Sequence, residues 1–215
     1  MTRGSRSNVA RHRALGIYHE SRFAARRLEV DAMNKPFQLA DTSTKAAFTT
    51  AEYLRMGESG AFDDMKIELV DGELERMNRP LNDHSRRQTL VIIRLAMIVG
   101  EALVRGDVGV DLGGETVLGC DAALLRHTVE GQRLLVPDDL ALVVEVAQTS
   151  LARDKGLKRV RYAAAGIPEY WVVDGDRAVV HVYREPVDGD YALISTVRFG
   201  EPLAVPGTGA TITVS

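Results

Sequence analysis

The chain has 215 residues, 45% of them apolar and 27% charged, with a net charge of −3. That profile fits one ordinary folded domain and excludes a fibrous or wholly disordered chain. Its one cysteine, Cys120, excludes an internal disulfide and a cysteine-based zinc cluster. No apolar stretch reaches the roughly 20 residues of a membrane span, since Arg94 interrupts the run at 90–99, and the expected compartment is the cytoplasm.

Residues 1–32 carry seven arginines against Glu20, Glu29 and Asp31, a net of +4, which leaves −7 for residues 33–215. Such an arm could hold nucleic acid. It lacks aromatic interleaving and a sustained basic face, so it reads as a disordered extension, with Met33 as an alternative first residue. It also lacks the long apolar region of a secretory signal. Residues 33–215 are expected to form a single domain. Its acidity argues against a broad footprint on duplex DNA, so contacts would fall to a local rim drawn from Arg79, Arg86, Arg87, Arg153, Arg159 and Arg161.

A short capped helix is expected over 49–56, ended by Gly57. Strands at 66–70 and 73–77 flank Asp71-Gly72, a strong hairpin signal. Pro80 and Asn82 introduce a long helix over 83–104. Gly-bounded strands follow near 108–111, 115–118 and 119–125. Pro137 leads into a strand at 140–147, apolar on both faces and therefore central. A second helix at 153–165 stops at Gly166 and Pro168, and strands near 169–173, 178–183 and 191–195 precede a tail with a short edge near 211–214. This order predicts an α/β sandwich around a mixed sheet flanked by helices.

Glu145 is the residue that asks for an explanation. It interrupts the apolar run Leu140–Ala147, and a buried unpaired carboxylate costs several kcal/mol unless a proton, cation or metal neutralises it. Strand alternation puts it on one face with Val143, and Leu142, Val144 and Val146 on the other. Asp121 lies in a preceding strand, and two such carboxylates could share one divalent cation. The bland alternative is a core salt bridge to an arginine, with no cleft beside it. Asp154, Lys158 and Tyr162 recur every four residues on one helical face. Lysine is scarce here, five against 22 arginines, so Lys158 on that face is a candidate compact donor; Lys155 points about a quarter turn away. Glu68 is a second acid inside an apolar strand, able to hold a cation or to pair with a neighbour, and His84 opens the long helix. His127 and His181 have no metal-ligand spacing and read as structural.

These residues resemble the bacterial "putative restriction endonuclease" family within the PD-(D/E)XK nuclease superfamily. The likeness runs from about Phe48 to Tyr183 through Tyr53, Ile67-Glu-Leu-Val-Asp-Gly-Glu-Leu74, His84, Asp121, Leu142-Val-Val-Glu-Val146, the helix bearing Asp154, Lys158 and Tyr162, and Gly166-Ile-Pro-Glu-Tyr-Trp-Val-Val-Asp174. It implies a restriction-endonuclease-like α/β fold and a Mg²⁺-dependent DNA endonuclease (Mn²⁺ substituting), with Asp121, Glu145 and Glu68 as metal carboxylates. Lys158 and His84 would join them in catalysis, with Asp154 and Tyr162 in support. DNA is the expected partner and a membrane is not expected; a homodimer is one candidate assembly, and the sequence does not decide the oligomeric state. The lysine usual two residues after the glutamate is replaced by Ala147, and the family places its lysine on the next helix, at Lys158. Cys120 stands where a proline precedes the metal aspartate, and Gln148 where a serine follows the glutamate motif. The alternative function is a catalytically lapsed DNA-binding or defence-associated protein that kept the fold. Pro137-Asp138 is a literal PD but sits about 23 Å from Glu145 along one strand at roughly 3.3 Å per residue, too far for a shared metal.

Overall fold

The computed structural model describes residues 46–215; the basic arm expected at 1–32 lies outside them. Helix α1 (Thr50–Glu58) opens with a capping box, in which the Thr49 hydroxyl accepts from the Glu52 amide and the Glu52 carboxylate accepts from the Thr49 amide. A cap of this kind contributes about 1 kcal/mol. Strands β1 (Lys66–Val70) and β2 (Glu73–Met77) form the expected hairpin, with Asp71 and Gly72 at φ 50 and 81. Two consecutive positive φ values match the right-handed twist of the flanking strands.

Helix α2 (Asn82–Val99) is shorter than the sequence pattern predicts. Gly100, at φ 88, ends it, and a 3-10 turn at Glu101–Leu103 leads directly into β3 (Val104–Gly113). The three short strands expected at 108–125 are two long ones, β3 and β4 (Thr116–Leu125), paired antiparallel. Gly119 does not break β4. A Cβ there would lie 3.4 Å from Lys66 Cε and 3.5 Å from Glu68 Oε1, so the glycine makes room for side chains and makes no turn.

Strand β5 (Leu140–Ala147) is central, as its two apolar faces require, and pairs antiparallel with β4 and parallel with β6 (Glu169–Asp174). The parallel step needs a crossover. It is helix α3, formed by consecutive α-helical (Leu151–Arg153), π-helical (Asp154–Lys158) and α-helical (Arg159–Ala164) segments. Strands β7 (Val179–Val187) and β8 (Asp190–Arg198) complete a mixed sheet ordered β2-β1-β4-β5-β6-β7-β8, with β3 also on β4. The tail pairs β9 (Leu203–Ala204) with β10 (Thr211–Ile212).

The sheet separates two cores. On one face Val143, Ala147 and Tyr170 pack with Tyr162 and Ala163 of α3; on the other Leu142, Val144 and Trp171 pack with Val91 and Leu95 of α2. This is the helix–sheet–helix sandwich predicted from the element order. Among the described residues no helix is long and apolar enough to cross a membrane.

Candidate active site

One edge of β4 is shared by two strands. β5 pairs with Ala122–Leu125, whereas β1 reaches β4 only at Val117. Between these contacts the sheet forks, and backbone groups inside a fork still need partners. Side chains supply them. The Gly119 amide donates to Glu68 Oε1 at 3.0 Å and its carbonyl accepts from Lys158 Nζ at 2.8 Å. The Val146 amide donates to Asp121 Oδ2 at 2.7 Å, and the Asp121 carbonyl accepts from Gln88 Nε2 at 2.9 Å. The splayed strands therefore draw charged side chains to one place.

Lys158 is the hub. Beyond Gly119, its ammonium lies 2.9 Å from Glu145 Oε1 and 3.0 Å from Glu68 Oε1, which occupies all three of its donors. Tyr162 donates to the same Glu145 oxygen at 3.0 Å. Arg153 bridges Glu68, at 2.5 Å, to Glu75. Ser150 donates to Asp154 Oδ2 at 2.6 Å, and His84 Nε2 lies 3.2 Å from Asp121 Oδ1. The π-helical turn widens α3 where these groups are delivered, and Asp154, Lys158 and Tyr162 all turn inward. Such turns interrupt α-helices mostly at functional positions.

Electrostatics follow from burial. Desolvation pushes Glu145 well above the ordinary carboxylate range; Asp121 and Asp154 add to the rise and Lys158 opposes it. Burial likewise raises Asp154 against its bond from Ser150. Burial works against the charge on Lys158, but Glu145, Glu68 and Asp154 outweigh it and hold the ammonium charged. For Asp121 burial is overcome by His84, the Val146 amide and Lys158, so its carboxyl sits below the usual range. His84 is raised, chiefly by its hydrogen bond to Asp121. Burial also raises the Cys120 thiol, which remains protonated beside this cluster.

A cavity of about 480 Å³ opens over the fork, lined by Glu68, His84, Asp121, Glu145, Asp154 and Lys158. The structure thus brings together six of the seven residues singled out from sequence, with Tyr162 buried directly behind them. Glu145 meets a lysine and a cleft, not an arginine in a closed core. The anticipated basic rim is corrected. Only Arg79 and Arg153 of its six arginines line the cavity. Arg159 pairs with Asp190, Arg161 with Asp71, and Arg87 presses on Gly175; Arg86 is exposed on α2 away from the lining. Lys155 approaches His181 instead of the cleft. Lys66, Arg76 and Gln88 line the cavity unforeseen. For Lys66 a signal existed, since it lies two residues before Glu68 on the same face of β1; it reaches Asp107 at 2.6 Å.

The family described as "Putative restriction endonuclease" (Uma2) matches residues 50–215. The chain belongs to that family. Its membership accords with the PD-(D/E)XK superfamily. A crystal structure from Anabaena variabilis, described as a putative nuclease belonging to DUF820, is similar over 77% of this chain and 94% of that one. The TM-score is 0.59 at 16% identity, so the likeness is one of fold. No curated protein matches.

For a divalent cation the cleft offers the right donors, carboxylate oxygens from adjacent strands, which hard cations prefer. Among the described residues, however, no group of three or more His, Cys, Asp or Glu side chains is arranged around a common point. Between Glu68 and Glu145 the cation is the Lys158 ammonium. Glu145 and Glu68 are both tied to Lys158, Glu68 also to Arg153, and Asp121 to His84 and the Val146 amide.

Proposed function

We propose that the fork is the active centre of a Mg²⁺-dependent DNA endonuclease that hydrolyses phosphodiester bonds. The observation that carries this reading is an excess of acid in a solvent-reaching cleft. Among the described residues, the cluster of Glu68, Asp121, Glu145 and Asp154 makes direct ion pairs with two fixed cations, Lys158 and Arg153, and Arg153 is shared with Glu75, so the remaining negative charge is met by protons, by His84 or by a divalent ion. Asp121 and Glu145 would hold the ion, and Glu68 would reach it through water or fix Lys158. A bound Mg²⁺ (or Mn²⁺) would supply Lewis-acid polarisation of the phosphate and a water of lowered pKa.

The chain's own groups have separable tasks. Lys158 holds Glu145 in place and presents its positive charge to phosphate oxygens in the cleft. His84 fixes the Asp121 carboxylate and, from the cavity lining, would donate the proton to a leaving oxygen. Asp154 and Tyr162 hold the helix face that delivers Lys158. Arg76 and Arg79, exposed in the cavity lining, would contact the backbone of a DNA strand, with Lys66 beside them already paired to Asp107. The acidic surface leaves binding to these residues.

Titration calorimetry with MgCl₂ tests the reading. A saturable site that disappears in Asp121→Ala supports it; an enthalpy indifferent to Asp121 overturns it. A second reading, a lapsed nuclease that binds DNA without cutting it, draws on the saturation of Lys158 by two carboxylates. It predicts DNA binding with no Mg²⁺ site dependent on Asp121.

A further inference from the structure

Among the described residues, strand β8 ends the sheet with only β7 beside it. Its central seven residues, Tyr191-Ala-Leu-Ile-Ser-Thr-Val197, carry no charge. Ala192 through Thr196 are exposed without interruption, and the exposed apolar side chains include Leu193 at 51% and Ile194 at 57%. Proteins ordinarily guard a free edge with charge, because its unpaired backbone groups accept any passing strand. The other margins of this sheet obey that rule. β2 holds Glu73, Glu75 and Arg76 within five residues, and β3 holds Arg105, Asp107 and Asp111. An unguarded edge in a chain that guards its other margins has the form of a contact surface.

We infer that β8 pairs antiparallel with β8 of a second copy of this chain, about a two-fold axis passing through Ile194. The charges at the ends of the strand select the partner and the register. Centred on Ile194, the pairing sets Asp190 of each copy opposite Arg198 of the other, closing the apolar stretch with an ion pair at both ends. Leu193 faces Ser195, Ala192 faces Thr196, and no like charges meet. A slip by one residue sets Asp190 against Val197 or Arg198 against Tyr191 and loses both pairs. Such self-complementarity is what a two-fold interface demands, since one patch must serve as both surfaces. The ladder supplies backbone hydrogen bonds and the end charges fix the register. Asp190 already touches Arg159 at 3.0 Å while remaining nearly half exposed, so it can accept a second cation.

The test uses the full chain. Sedimentation equilibrium from roughly 1 to 100 µM, a range in which modest interfaces associate, is expected to show twice the chain mass. Ile194→Lys, at an exposed position, is expected to raise the dissociation constant at least tenfold with an unchanged circular dichroism spectrum. Register is read by oxidative cross-linking. Residues directly opposite in an antiparallel pair have Cα atoms about 4.5–5.5 Å apart, within disulfide reach. Ile194→Cys is therefore expected to give a covalent dimer, and Leu193→Cys, which faces Ser195, to stay largely uncross-linked. The buried native Cys120 does not compete. A monomer throughout the range overturns the inference. So does a dimer indifferent to Ile194→Lys, or equal cross-linking at 193 and 194.

Discussion

The ammonium of Lys158, carried by α3, lies 2.9 Å from Oε1 of Glu145 on β5, and both side chains are buried. A carboxylate in a central strand and a lysine thirteen residues later thus account for one another. The same ammonium also serves Glu68, so neither carboxylate has it alone.

Removing Lys158 strands both carboxylates. Lys158→Met is expected to destabilise the fold by about 3–5 kcal/mol, the usual cost of an orphaned buried charge. Adding Glu145→Gln in the same chain recovers part of that loss. Urea denaturation of the two single variants and the double gives the coupling, and strictly additive losses would show that the pair does not interact.

The lysines of α3 separate function from composition. Within the proposed function, a Lys158→Ala chain that still folds loses about 100-fold or more in cleavage, because Glu145 and Glu68 lose the cation that places them and the cleft loses a fixed positive charge. Lys155→Ala, whose ammonium reaches His181, costs little. Rate measurements on both variants decide it, and the reverse order would make Lys155 the functional amine.

The fold and most of the site were legible because their signals are local. Asp71-Gly72 dictates the hairpin, the double-faced run at 140–147 dictates a central strand, and the four-residue spacing of Asp154, Lys158 and Tyr162 places all three on one face. The rest depends on pairings far apart in the chain. Arg153 was legible as a rim cation, but its bonds to Glu68 and Glu75 span 85 and 78 residues, and one sequence holds no record of them. The fork itself was hidden, because it arises from β1 and β5 sharing one edge of β4. Gly119 was misread for the same reason. A glycine that clears space for Lys66 and Glu68 looks, along the chain, like one that ends a strand. The π-helical turn left no trace either, since a change of hydrogen-bond register alters no residue type.

His84 gives the site a pH dependence. Its hydrogen bond to Asp121 raises its pKa above the ordinary value of about 6.5. A raised folded-state pKa contributes stability that is complete below the unfolded value and is lost as pH rises through the folded one. The wild type is therefore expected to lose more stability than His84→Gln between about pH 6 and pH 8. Denaturation midpoints at the two pH values measure it, and parallel losses would show that His84 does not titrate against Asp121.

Asp121 carries the opposite dependence. Its pKa is lowered, with His84, the Val146 amide and Lys158 outweighing burial, so its contribution is complete above the unfolded value near 3.9 and fades as pH falls through the lowered folded value. Asp121→Asn is expected to reduce the acid sensitivity of folding below about pH 4. An unchanged acid-unfolding profile would contradict the placement of its carboxylate on the Val146 amide.

The central claim is that Glu145 is part of a metal-dependent hydrolytic centre, and plasmid cleavage tests it most directly. Purified wild-type chain with supercoiled plasmid and Mg²⁺ is expected to yield nicked or linear product, and none when the metal is chelated. Glu145→Gln, with its fold verified by circular dichroism, is expected to cut at least about 100-fold more slowly. Cleavage by the folded Glu145→Gln protein at the wild-type rate, with contaminating nuclease excluded, would contradict the account.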